Sequence, residues 1–105
     1  MAQRETIIKL KKYLEVLNNA GIKIEKAFLF GSYANKSMTI DSDIDIMLVS
    51  QDFDINNDNI TGKVWNLTRS IDSRIEPYIV GLKKFNNDNV SPLLQIVKKE
   101  GILIE

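Results

Sequence analysis

An apolar run that ends in a glycine turn, followed by two aspartates in a strand-like stretch, constrains this chain more than any other feature. Residues 27–30 read Ala-Phe-Leu-Phe and deliver Gly31-Ser32; a ten-residue spacer leads to Asp43-Ile44-Asp45, and Ile46-Met47-Leu48-Val49 follow. Side chains of a strand alternate faces, so Asp43 and Asp45 project together while Ile44, Ile46 and Leu48 enter a core on the other face. Two carboxylates about 4 Å apart at an effective dielectric near 20 repel by roughly 4 kcal/mol. They must take up a proton, pair with Lys or Arg, or bind a cation. Oxygen-only ligands with open positions suit magnesium. A Gly-Ser turn opening a short helix supplies the complement, because its free N–H groups attract phosphate.

The bulk numbers narrow the class. A chain of 105 residues with 44% apolar content can bury one core and little more. There is no cysteine, which excludes disulfides and thiolate metal sites and fits a reducing cytoplasm. There is no histidine either, so an imidazole base and a His-ligated zinc are closed to the chain acting alone. The N-terminus is charged and helical in pattern, unlike a signal peptide, and no run approaches a membrane span. Basic and acidic residues balance at 14 each, and the pI is near 6.3. That balance argues against a long nucleic acid as the main ligand, which usually calls for a basic face.

Along the chain, Ile7, Leu10, Leu14 and Leu17 recur at helical spacing over residues 4–19, with Gly21 as the stop. The Lys9, Lys11 and Lys12 cluster on that helix reads as a solvated face. Residues 22–30 read as a strand whose apolar end suggests a central place in the sheet. A short helix from Ser32 and a turn lead into a strand over 43–49, and residues 51–59 form a polar loop. Ile60, Val64, Leu67 and Ile71 stripe a second helix over 58–71, with Trp65 beside the stripe in a half-buried packing role. Residues 73–80 read as another strand, with Ile75 and Ile79 on one face and Arg74, Glu76, Tyr78 and Val80 on the other. Pro77 puts that strand at an edge or ends its pairing there. Residues 85–89 read as a loop. Ser91 and Pro92 start a helix that Gly101 ends, and residues 102–104 add a short edge strand.

Gly31-Ser32, the spacer and Asp43-Ile44-Asp45 resemble the signature of the DNA polymerase β-like nucleotidyltransferase superfamily, most closely its minimal nucleotidyltransferase (MNT) branch. The resemblance runs over nearly the whole chain and implies a single nucleotidyltransferase domain over residues 1–105. The fold it implies is α/β (α+β), with a small mixed sheet of about four strands and three to four helices. In that family Asp43 and Asp45 would hold magnesium, and Gly31 and Ser32 would meet the β and γ phosphates of a nucleoside triphosphate. A third carboxylate is required from a neighbouring strand; Glu76 is the choice and Asp72 the runner-up. Asp43, Asp45 and Glu76 are thus the expected catalytic and metal-binding residues, with two magnesium (or manganese) ions and ATP as donor. Arg74 and Lys36 could steady phosphate, but ion pairing or solvation is at least as good a reading of either. Where relatives carry a basic residue and then Gly after Gly-Ser-x-Ala, this chain has Asn35-Lys36. If Lys36 adopts positive φ, it is strained.

The resemblance also suggests a role. MNT-like proteins are often antitoxins paired with separately encoded helical HEPN-type toxins, and some transfer AMP to a tyrosine of that partner. AMPylation of such a partner in the cytoplasm is the leading expectation, with no membrane and no long nucleic acid involved. The alternatives are a non-catalytic protein-binding antitoxin and nucleotidyl transfer to a small molecule such as an aminoglycoside. The apolar C-terminal strand is compatible with homo- or hetero-oligomers.

Overall fold

Ile44, Ile46 and Leu48 are fully buried on one side of their strand, and Met47 and Val49 are fully buried on the other. A strand buried on both faces lies inside a layered structure. The computed structural model describes residues 3–104, so the expected domain limits at 1 and 105 lie outside the described residues. The order is α1 (Gln3–Asn19), β1 (Lys26–Phe30), β2 (Ile44–Ser50), α2 (Asp58–Leu67), β3 (Ile75–Gly81), α3 (Leu82–Asn87), α4 (Pro92–Glu100) and β4 (Ile102–Leu103). The strands form one mixed sheet ordered β3-β2-β1-β4; β1 is antiparallel to β2 and β4, and β2 is parallel to β3. This is the expected α+β architecture, with β1 and β2 central and β3 at an edge where Pro77 is tolerated.

Two cores sandwich the sheet. One joins Leu10, Tyr13 and Leu17 of α1 and Val64 of α2 to Ala27, Leu29, Ile44, Ile46, Leu48 and Ile75. Tyr13 ties the two helices by donating to the Val64 carbonyl at 2.7 Å. The other joins Phe85 of α3 and Leu94 and Val97 of α4 to Phe30, Met47 and Val49, with Tyr78 and Val80 alongside. Among the described residues, no helix is long and apolar enough to cross a membrane.

Several boundaries differ from the sequence reading. Residues 22–25 are outside the sheet's first strand, because side chains take part of their backbone: Asp52 accepts from Lys23 N, Asn18 from Ile24 N, and Ser50 donates to the Lys23 carbonyl. The second helix stops at Leu67 and tightens into a 3-10 turn, Thr68–Ser70. Residues 82–87 form α3, where a loop was expected from Phe85 onward. Phe85 drives this, stacking on Phe28 at 5.6 Å between centroids with the Lys98 ammonium 4.8 Å from its ring. The start of α4 is braced by Asp88, which accepts from Val90 N and Ser91 N, and not by the Ser91 side chain. Trp65 is 45% exposed, which is the half-buried placement expected of it.

Candidate active site

Strand register sets the site. Phe30 of β1 pairs with Asp45 of β2, and Asp45 pairs with Glu76 of β3, so the three form one row across the sheet. By alternation they share the face carrying Met47 and Tyr78. Asp43 stands one position before β2 with the same parity and is exposed. The parallel pairing of β2 with β3 therefore carries Glu76 beside the acid pair at the sheet's end.

The chain leaves β1 through a 3-10 turn, Gly31–Tyr33, which closes directly over this row. Gly31 is required twice. Its φ is +74°, in the left-handed region, and a Cβ there would collide with the Asp45 carboxylate. The turn's N-terminal N–H groups receive no side-chain cap. Such groups are the ones a phosphate can occupy.

The acids repel one another. Burial, then the charges of Glu76 and Asp43, push the Asp45 carboxyl up from 3.8 to about 6. Tyr78 lies two residues beyond Glu76 on the same face and donates its hydroxyl to Glu76 Oε1 at 3.2 Å. Burial and then the nearby Asp45 and Glu76 carboxylates push the Tyr78 phenol up. Its ring meets Phe30 edge-on at 5.1 Å. This contact was not read from the sequence, although the i, i+2 spacing from Glu76 was available as a signal.

The donor set fits a hard divalent cation, being all oxygen, and the raised Asp45 carboxyl marks a place where positive charge is favoured. Among the described residues, no three acidic side chains stand close enough to share one ion. Tyr78 gives the Glu76 carboxyl a partner of its own.

A family model described as "Polymerase beta, Nucleotidyltransferase" matches residues 9–105, which include the turn, the acid pair and Glu76. The chain belongs to this family. A solved structure of a protein from Sulfolobus solfataricus, proposed to be a nucleotidyltransferase, shares the fold at 20% identity and a TM-score of 0.64. The match covers 96% of this chain and 80% of that one. No curated protein matches the chain.

In this nucleotidyltransferase domain Asp72, the runner-up for the third acid, is committed elsewhere. It bridges Lys9 at 2.9 Å and Arg74 at 2.8 Å. The Arg74 hydrogen bond, helped by Lys9, holds its carboxyl well below the usual range. Arg74 therefore takes the ion-pairing role, and Lys9 is drawn out of the solvated face. Arg74 also donates to the Tyr33 hydroxyl at 3.2 Å, while Gln3 of α1 donates to the Tyr33 and Ala34 carbonyls at 2.8 and 3.1 Å. The turn is thus laced to α1 and to the start of β3. Apart from the Arg74–Asp72 pair, none of these links was legible in the sequence, since each of the others joins residues 30 or more apart.

The departure at Asn35-Lys36 has a structural outcome. Lys36 adopts φ +62°, and Asn35 Oδ1 accepts from Ser37 N at 3.0 Å, closing the turn. A left-handed L-residue costs about 1–2 kcal/mol, part of which glycine's larger unfolded-state entropy would offset. Lys36→Gly is expected to stabilise the protein by about 0.5–1 kcal/mol. The check is a thermal melt, in which the variant unfolds a few degrees above the parent.

Proposed function

We propose that this protein is a magnesium-dependent nucleotidyltransferase that moves AMP from ATP onto a hydroxyl of a partner protein. The observation supporting it is the Phe30–Asp45–Glu76 row lying under the Gly31 turn, which sets a phosphate-binding bend against acids that call for positive charge. Bound magnesium would neutralise the triphosphate and lower the pKa of the acceptor hydroxyl. Gly31 and Ser32 hold the β and γ phosphates on the turn's N–H groups, and Asp43 and Asp45 supply the ligands. The acceptor oxygen attacks the α-phosphorus in line; a P–O bond forms, pyrophosphate leaves, and Glu76 takes the hydroxyl proton.

The partner rests on the resemblance to MNT domains: a separately encoded HEPN-type helical protein, with this chain as its antitoxin in the cytoplasm. A second reading, which rests on the same resemblance, is a non-catalytic binding antitoxin. The two readings separate in one experiment. Protein, the product of the neighbouring reading frame, magnesium and α-labelled ATP are incubated together. Label is expected on the partner and absent with the Asp43→Asn/Asp45→Asn variant. No label from any of the four nucleoside triphosphates, with protection of cells intact in that variant, would overturn the enzymatic reading.

A further inference from the structure

The Gly31–Tyr33 turn is tied to the rest of the protein by side chains from two other elements. Its own backbone bonds are local: the Gly31 carbonyl accepts from Ala34 N and Asn35 N at 3.1 Å each, and the Ser32 carbonyl from Ser37 N at 2.9 Å. Tyr33 carries the longer-range ties. Its carbonyl accepts from Gln3 of α1. The residue is only 1% exposed, and its phenol oxygen accepts from Arg74 Nη1 at 3.2 Å. Arg74 is itself aimed. Its Nε and Nη2 make a fork on the two Asp72 oxygens at 3.1 and 2.8 Å. Lys9 of α1 braces the same carboxylate, which also accepts from Arg74 N at 2.9 Å. The fork leaves Nη1 for the phenol.

We propose that Arg74 is a positioning residue for the donor nucleotide: through the Tyr33 phenol it sets the height of the phosphate turn above the acid row. The assignment rests on reading Gly31-Ser32 as the phosphate turn. Gly31 fits against the Asp45 carboxylate with no room for a methyl group, so any shift of the turn changes the spacing between phosphates and acids. A misplacement of about 1 Å is enough to spoil a reacting geometry. Without the guanidinium the buried phenol oxygen loses this donor, and a buried polar atom left unpaired is costly. The phenol then swings toward water. Ser32 and Gly31 immediately precede Tyr33, so the turn moves with it. Arg74 also lies two residues before Glu76, which references the turn to the strand carrying the third acid. Lysine does not substitute, because one ammonium cannot hold the Asp72 fork and reach the phenol together. With its guanidinium turned to Asp72 and Tyr33, Arg74 acts on the phosphates through the turn and not by touching them.

The test titrates ATP and inorganic tripolyphosphate, each with magnesium chloride, into the full chain by calorimetry. The parent is compared with Tyr33→Phe, Arg74→Met and the double variant, with circular dichroism checking the fold at the titration temperature. Each single variant is expected to weaken both ligands about fivefold, the scale of one hydrogen bond. The double variant is expected to bind within about twofold of the singles, because both changes cut the same link. A merely structural role would lower the melting temperature and the fraction of protein able to bind, with the dissociation constant unchanged; that result overturns the proposal. Parent-like affinity in Tyr33→Phe overturns it as well, and where Arg74→Met does not fold, Tyr33→Phe alone decides. Losses that multiply in the double variant also overturn it and assign Arg74 a contact of its own with the phosphates. Failure of the parent to bind either ligand overturns the phosphate-turn reading, and the positioning role with it.

Discussion

Asp45→Asn is expected to abolish nucleotidyl transfer and at the same time to raise the melting temperature at pH 7.5. The loss follows from removing a charged ligand beside the reacting phosphates, and about 1000-fold is the expected scale. The gain follows from the same charge. Asp45 titrates near 6 in the folded protein against 3.8 ordinarily, so folding takes up a proton between those values. The penalty of an ionised Asp45 is absent below about pH 3.8 and complete above about pH 6. The shift alone would correspond to about 3 kcal/mol. Asp45 is partly open to solvent, and screening leaves about 1–2 kcal/mol. Asn keeps the shape without the charge. Thermal melts at pH 7.5 and pH 4 check this: the variant should unfold about 5 °C higher at the first and show no advantage at the second. Equal melting temperatures at pH 7.5 would mean that Asp45 is not under electrostatic stress.

Gly31→Ala is expected to be among the most damaging single-methyl changes available. The new Cβ meets the Asp45 carboxylate, and the backbone stands at φ +74° where Ala is strained. Strain and overpacking together amount to about 2–4 kcal/mol. Urea denaturation reads this directly. The substitution also displaces Asp45, so the variant should lose magnesium-dependent ATP binding even where it remains folded. Gly21, which also has positive φ but open space around its α-carbon, is the control. Gly21→Ala should cost only the backbone component, about 1 kcal/mol, and leave ATP binding unchanged.

What could be read in advance was whatever depends on local period. Alternation alone assigns Asp45 to the face opposite Ile44 and Ile46, and Glu76 to the face opposite Ile75 and Ile79. The edge position of β3 follows from Pro77 lacking an N–H. The features that could not be read depend on contacts between distant segments. Residues 85–89 look like a loop because four of the five are Asn or Asp, yet Phe85 wraps the stretch's start into α3 by stacking on Phe28. Ile22–Ile24 alternates like a strand, but Asp52, Asn18 and Ser50 claim part of that backbone. The Tyr78 hydrogen bond to Glu76 and the Arg74 hydrogen bond to Tyr33 depend on side-chain reach, which no spacing in the sequence specifies.

The cross-strand row has a consequence for tolerance to change. Adjacent strands lie about 4.8 Å apart whatever their side chains. The separation of Asp45 from Glu76 is therefore gauged by the backbone ladder, and surface substitutions leave that gauge untouched. Sliding β3 by one residue would turn Glu76 into the opposite core, and sliding it by two would carry it about 6.6 Å along the strand. The parallel ladder from Ile44–Ile75 to Ser50–Gly81 acts as a vernier that admits one setting.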